Sequence, residues 1–237
     1  MTSNRVSSQY GDGEMVSYLA NRHKPIWEHM IIRSEVDLTG KKILDFGCAD
    51  GSFFRVVNEL HKFNFALGLE KASQSLVTAR QSMGDLNVEF YQIDENQDFP
   101  IDHYRDTFDV AFSHEVIYQL SDLRSHGEFV RQLLKPAGKY IAVTGCHVDS
   151  PLWGLWAQLR DERGDSKKFP HFHYSPTDIV HSFKEAGFSS VKILPFEWHP
   201  SEEFELIPTD PYRAAFWPST ELALEFYKKH KLIFICE

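Results

Sequence analysis

Residues 42–57 read KILDFGCADGSFFRVV, and this stretch sets the fold of the whole chain. Ile43 and Leu44 form a short apolar run that reads as a buried strand, closed by Asp45 and Phe46. A tight loop follows, Gly47-Cys48-Ala49-Asp50-Gly51. From Ser52 to Leu60 the apolar residues fall at helical spacing. Strand, glycine-rich turn and helix are the opening of a nucleotide-binding α/β unit. Gly47 and Gly51 let the backbone come close to a ligand, or take φ > 0 without a Cβ clash. The helix start aims free N–H groups into the same space. The spacing is not that of a dinucleotide fingerprint. Counted from Gly47, the later glycine positions of Gly-x-Gly-x-x-Gly hold Ala49 and Ser52.

The totals bound the rest. A chain of 237 residues can bury one large core or two small ones. Its 42% hydrophobic and 25% charged residues are those of a soluble globular protein. No apolar run is long enough to span a bilayer, and Met1 to Gln9 is polar, without an apolar signal core. Neither a membrane association nor a secretory leader is expected. Three widely separated cysteines leave one over from any pairing, which points to a reducing, cytoplasmic setting. A net charge of −9 disfavours a large nucleic-acid footprint, because phosphate binding needs clustered Lys and Arg.

Outward from the opening motif, the chain alternates strands and helices. Residues 1–13 read as a loose arm. Glu14 to Leu38 reads as helical, with Pro25 restarting the helix after a break; Tyr10, Arg22 and His23 are taken as surface or packing residues. Asn64 to Glu70 is a second buried strand ending in an acid, about 20 positions beyond the glycine turn, where a carboxylate can hold ribose hydroxyls. Asn87 to Ile93 is a third strand, and Asp94 and Glu95 follow at its carboxyl end, where ligands of open parallel sheets sit. Phe108 to Phe112 is a fourth strand. Ser121-Asp122 caps a helix running to Leu134, Lys135 to Lys139 reads as a turn, and Tyr140 to Thr144 is a fifth strand.

The segments DFGCADG, LGLEKA, VEFYQIDEN, FDVAFSHEVIYQL and LLKPAGKYIAV, in this order, resemble the class I S-adenosylmethionine-dependent methyltransferases, most of all their small-molecule type 11/25 branch. Residues 179–188, a strand over Ser189 to Phe196 and the closing KLIFIC at 231–236 extend the resemblance over most of the chain. It implies an α/β fold: a three-layer, doubly wound, mostly parallel sheet of about seven strands, the last antiparallel, with lid insertions. It implies one domain over 1–237 and S-adenosylmethionine as cofactor. Carried over by residue, Phe46, Gly47, Cys48 and Ala49 face the methionine part. Glu70 holds the ribose hydroxyls with Lys71 beside the adenine. Asp94 and Glu95 bind the adenine ring, and Ser113 and His114 line the sulfonium region. Two residues depart from the family pattern. Ala49 replaces a glycine, tolerable if it keeps φ < 0, and Gln119 stands where many relatives carry a histidine.

Two segments are long for simple connections, 145–175 and 197–230, and such loops are usually lids or binding elements. With the arm and helix of 1–38, they are expected to cover the pocket and choose a small-molecule acceptor, in a monomer or homodimer. Tyr118, Trp153, Trp156, His173, Tyr174 and Trp198 are the candidate acceptor contacts; Tyr212 and Arg213 lie in the second segment. Methyl transfer from a sulfonium is an in-line displacement in which the protein aligns the partners and excludes water. An oxygen or nitrogen acceptor carrying a proton also needs a base, and histidine is best poised for that near neutral pH. His147, just past the fifth strand, is the first candidate and His114 the second. His171 and His173 with His147 or His199 form no tight metal constellation, so no metal is expected. Two other functions fit part of the pattern. A nicotinamide-dependent oxidoreductase is opposed by the broken fingerprint. A non-catalytic Rossmann-like binding domain is opposed by the complete Gly47, Glu70 and Asp94 set.

Overall fold

Residues Leu232–Cys236 show how the core is divided. Ile233 and Ile235 pack on one side of the sheet, Phe234 and Cys236 on the other, as the two-residue period of a strand demands. The same split runs through the neighbouring strands, so one sheet separates two apolar layers. A computed structural model describes residues 13–93, 99–164, 170–209 and 214–237, with side chains from Arg22 onward. Tyr10, Asp94, Glu95, Tyr212 and Arg213 lie outside the described residues.

The strands are β1 (Lys42–Phe46), β2 (Phe65–Glu70), β3 (Val88–Gln92), β4 (Phe108–His114), β5 (Leu134–Thr144), β6 (Val191–Pro195) and β7 (Leu232–Cys236). They form one seven-stranded sheet in the order β3-β2-β1-β4-β5-β7-β6. The pairs from β3 to β5 are parallel, whereas β7 is antiparallel to both β5 and β6. Between β1 and β4 the connections leave in opposite directions along the sheet. Such a switch opens a crevice at the carboxyl ends of the strands.

The helices are α1 (Gly13–Arg33), α2 (Ser52–His61), α3 (Ser73–Ser82), α4 (Ile101–Tyr104), α5 (Leu123–Leu133), α6 (Pro151–Glu162), α7 (Pro176–Glu185) and α8 (Thr220–Glu225). Phe54 and Val57 of α2, Met30 of α1 and Leu76 of α3 join one layer. Val130 of α5 and Ile179 and Phe183 of α7 join the other. Each such side chain, wholly buried, contributes about 1.5–3 kcal/mol. The helices α5 and α7 sit so close that a Cβ on Gly127 would lie 2.6 Å from that of Ala186.

Three boundaries differ from the sequence expectation. Helix α1 runs unbroken through Pro25 and stops at Arg33. Packing of Ile26, Met30 and Ile31, all buried, outweighs the hydrogen bond that proline forfeits. The stop comes where Ser34 returns both its N–H and its hydroxyl to the Met30 carbonyl and Glu35 turns left-handed at φ 54°. Residues 135–139 are not a free turn: β5 already pairs Phe108 with Leu134, then bulges before resuming at Val110 with Lys139. Strand β4 continues to His114, because Ser113 and His114 still pair with Ala142 and Val143.

Helix α7 opens with a complete capping box: Ser175 accepts from Asp178 N–H, and the Asp178 carboxylate accepts from Ser175 N–H at 2.8 Å. Ser175→Ala removes one half of it and should lower stability by about 1 kcal/mol, read as a shift of the urea midpoint at constant slope.

Candidate active site

The turn after β1 makes three left-handed steps, Gly47 at φ 83°, Ala49 at φ 47° and Gly51 at φ 73°. At Gly47 no side chain fits, since a Cβ would lie 2.4 Å from Val116 Cγ2. The N–H groups of Gly47 and Cys48 both donate to the Leu69 carbonyl, at 2.7 and 3.1 Å. Ala49 N–H donates to Glu70 Oε2 at 2.9 Å, and Ala72 N–H donates to Glu70 Oε1 at 2.9 Å. The expectation that Ala49 keeps φ < 0 is therefore corrected. Its N–H must swing toward Glu70, and the turn holds a residue with a Cβ where glycine is at ease, at about 1–3 kcal/mol.

Asp45 is buried beside this turn. Burial, with the Glu70 charge adding to it, pushes its carboxyl up to about 8. Cys48 is buried too, and its thiol is pushed up by the same burial and by three neighbouring acids. Phe46 sets its ring 4.4 Å from His126, on the α5 side of the sheet, so only its backbone faces the turn. Lys71 is exposed at the end of β2, its carbonyl held by Gln92 Nε2 at 3.0 Å.

At the end of β4 two expectations are revised. Ser113 is wholly buried, and its hydroxyl meets Tyr140 OH at 2.7 Å, which in turn meets His126 Nε2 at 2.8 Å. Its side chain thus points into the α5 layer and leaves only backbone for the crevice. His114 takes a 2.8 Å contact from Lys231 Nζ at Nε2 and a 3.3 Å contact from Trp27 Nε1 at Nδ1. Both neighbours are donors, and a neutral imidazole has one lone pair to offer. Burial first, then the Lys231 charge, holds its pKa well below the ordinary value. His114 therefore has no free lone pair with which to take a proton.

Glu115 and Lys231 were not singled out from the sequence, where they stand far apart. Glu115, at φ 56°, accepts from Lys231 Nζ at 2.7 Å, from the Thr144 hydroxyl at 3.0 Å and from Gly145 N–H at 3.2 Å. The ammonium also lies 5.3 Å from the Phe196 ring and 5.8 Å from that of Tyr227. The one available signal was a lysine opening an apolar strand, which does not name its partner.

The acceptor candidates divide. His147 is buried, and its Nε2 meets the His230 carbonyl at 2.6 Å. Tyr118 and Trp153 are buried with ring centroids 5.2 Å apart, and exposed His173 lies 5.6 Å from Trp153. Tyr174 spends its hydroxyl on the Leu120 carbonyl at 2.8 Å. Trp156 packs against the edge of this cluster, whereas Trp198 does not join it. Trp156 gives its N–H to the Phe216 carbonyl and packs on Trp217 and Phe226; Trp198 is buried between Phe204 and Tyr227. Trp198 is core of the second long segment, and half-buried Trp156, on α6 of the first, packs across to it. Arg22 of α1 clamps the segment, donating to the Glu205 and Leu206 carbonyls. Among the described residues, no group of three or more His, Cys, Asp or Glu is placed to hold a metal.

A sequence model of the family described as a methyltransferase domain matches residues 37–187, well over half of the chain. The chain belongs to this family. No curated protein matches it in sequence. Among solved structures, a Haloferax volcanii protein in complex with the Trm112 methyltransferase activator is similar at TM-score 0.72 and 17% identity, covering 100% of this chain and 98% of that one. An S-adenosylmethionine-dependent methyltransferase of Mesorhizobium loti is similar at 0.62 and 20%, covering 91% and 97%. A geranyl diphosphate C-methyltransferase of Streptomyces coelicolor is similar at 0.63 and 14%, covering 99% and 86%. The protein is a class I S-adenosylmethionine-dependent methyltransferase, and the expected fold of a mostly parallel sheet with an antiparallel last strand is the one observed.

The methyltransferase's own residues fit its cofactor. S-adenosylmethionine carries an ammonium, a sulfonium and a ribose diol. Asp45 and Glu70 stand at neighbouring strand ends, and no basic side chain forms an ion pair with either among the described residues. Each Glu70 oxygen already accepts one loop N–H and keeps a second lone pair for a hydroxyl.

Two outcomes follow for the turn. Ala49→Gly relieves the left-handed strain and should raise unfolding free energy by about 1 kcal/mol in urea titrations. For Asp45 the folded pKa lies above the unfolded one, so the unfolded chain sheds its proton first as pH rises. Stability should fall between about pH 4 and 8 and level off above; in Asp45→Asn that part of the slope should be absent from urea midpoints across the range.

Proposed function

We propose that this methyltransferase acts on an oxygen or nitrogen of a small-molecule acceptor and that His147 takes the acceptor's proton. The observation that carries this is the ring of His147 at the carboxyl end of β5. A carbonyl only accepts, so Nε2 must donate to His230, and the neutral ring keeps its lone pair on Nδ1. No protein partner among the described residues takes that lone pair. Burial holds the ring's pKa below its ordinary value, so at neutral pH it stands ready as a base. Bound S-adenosylmethionine supplies the activated methyl group. The backbone of 46–49, the Glu70 carboxylate and Lys71 are our candidates to hold it, with the backbone of Ser113 and the His114 ring at the sulfonium end. Asp94 and Glu95 stay candidates from the sequence for the adenine.

We read residues 1–237 as one domain, with 145–175 and 197–230 as its acceptor side. The three cysteines are free and buried, in keeping with a reducing, cytoplasmic setting. No helix among the described residues is long and apolar enough to cross a membrane.

Two variants separate binding from chemistry. Glu70→Ala should weaken S-adenosylhomocysteine binding by about 1–3 kcal/mol by calorimetry. His147→Ala should leave that affinity unchanged and depress turnover with an accepted substrate about 100-fold or more. Unchanged affinity in the first, or wild-type turnover in the second, removes that residue from its role.

A further inference from the structure

Helix α1 brings an indole to the end of β4. His114 follows Phe112 by two residues, so its ring faces the layer that holds α1 and α2. There Trp27 Nε1 lies 3.3 Å from His114 Nδ1, and Phe53 of α2 packs edge-on to the indole at 5.8 Å. Neither ring is sealed. Trp27 and His114 are half-buried, as are Gly47, Glu115 and Val116.

The protons in this contact do not match. Lys231 Nζ stands 2.8 Å from His114 Nε2 and 2.7 Å from Glu115 Oε1. An ammonium only donates, so the one lone pair of the neutral ring lies on Nε2 and its proton on Nδ1. An indole N–H also only donates. Two N–H groups therefore face one gap, and neither accepts from the other. The frame of α1 holds them there. Arg22 donates to the Leu206 carbonyl at 2.9 Å, His29 Nε2 meets the Phe196 carbonyl at 2.6 Å, and Arg33 pairs with Glu197 Oε2 at 2.6 Å. The helix is thus pinned on both sides of Trp27. A polar pair kept unmatched by its surroundings calls for a group that satisfies it.

Two donors select that group. An oxygen with free lone pairs takes both N–H groups at once, whereas an ammonium takes neither. The Lys231 charge behind the imidazole polarises its N–H, which favours a negative oxygen. Asp45, in register with Phe112, stands on the neighbouring strand. An amino-acid end carries an ammonium and a carboxylate on one carbon, and an acid beside a pair of donors suits both charges. Resting on the reading above that the His114 ring lies at the sulfonium end, we infer that Trp27 is a ligand-binding residue of this methyltransferase. Its N–H and His114 Nδ1–H together seat one carboxylate oxygen. That carboxylate comes either from the methionine end of the cofactor or from an acidic acceptor.

The test reads the seat directly. The whole chain, 15N-labelled, is titrated with S-adenosylhomocysteine and separately with 5′-methylthioadenosine, which lacks the amino-acid end. Acetate is then added to the S-adenosylhomocysteine complex. The Trp27 indole signal, one of five, is assigned with Trp27→Phe, and the ring nitrogens of His114 report its tautomer. The free protein should carry the His114 proton on Nδ1. Saturable movement of the Trp27 signal by S-adenosylhomocysteine assigns the carboxylate to the cofactor. Trp27→Phe should then weaken S-adenosylhomocysteine about five-fold by calorimetry and leave 5′-methylthioadenosine unchanged. Movement only when acetate joins the complex assigns it to the acceptor. A signal unmoved by both, equal movement by 5′-methylthioadenosine, or a His114 proton on Nε2 overturns the seat. If S-adenosylhomocysteine binds without shifting the amides of 113–116, the reading of His114 as a neighbour of the sulfonium fails instead.

Discussion

The Glu70 carboxylate is the joint that holds the turn after β1 in shape. With one oxygen it fixes the left-handed Ala49, and with the other it fixes the backbone at Ala72 where α3 begins. A single side chain at the end of β2 thus shapes the turn after β1 and the start of the next helix. The geometry works only because Gly47 has no Cβ to meet Val116, and because Gly68 leaves room for Cys48 and Phe90 beneath. Turn and acid are therefore one unit, built before any ligand arrives. Preorganisation of this kind lowers the cost of ordering groups on binding.

A second joint lies farther along the sheet. Glu115 and Lys231 tie together the ends of β4, β5 and β7, with Thr144 and Gly145 as further donors. An ion pair with one charge buried is weak evidence of stability in itself, since the desolvation of Lys231 offsets its attraction to half-buried Glu115. Its effect here is positional. It spends the one lone pair of His114, and it holds Gly145 against the Phe226 ring, where a Cβ would lie 2.1 Å away. Of the two histidines read from the sequence as bases, this network takes one out of service and leaves the chain just before the other in a fixed place.

The sheet was legible because its signals are local. Ile43-Leu44, residues 65–70 and residues 232–236 announce buried strands by composition alone, and Gly47 and Gly51 mark the turn by what they lack. The acid Glu70 was legible for the same reason, as the last residue of its strand. What stayed hidden was what depends on partners distant in sequence. Pro25 reads as a break, but Ile26, Met30 and Ile31 find a core that carries the helix through it. Ala49 reads as a right-handed residue until Glu70 claims its N–H. Trp198 looks like a ligand contact, because an aromatic in a long loop gives no sign of whether another loop will cover it. Lys231 and Glu115 give no sign of each other.

One feature of the sheet bears on how the chain is made. Strand β6 touches the sheet only through β7, which enters antiparallel between β5 and β6. Until residues 232–236 leave the ribosome, β5 stays an open edge and β6 has nowhere to dock. The first five strands can assemble during synthesis, and α7 can pack on α5 with Phe183 and Phe188 against Tyr140, whereas β6 must wait for its partner strand. Until β7 arrives the edges of β5 and β6 stay unpaired, and unpaired edges draw a folding chain into wrong associations.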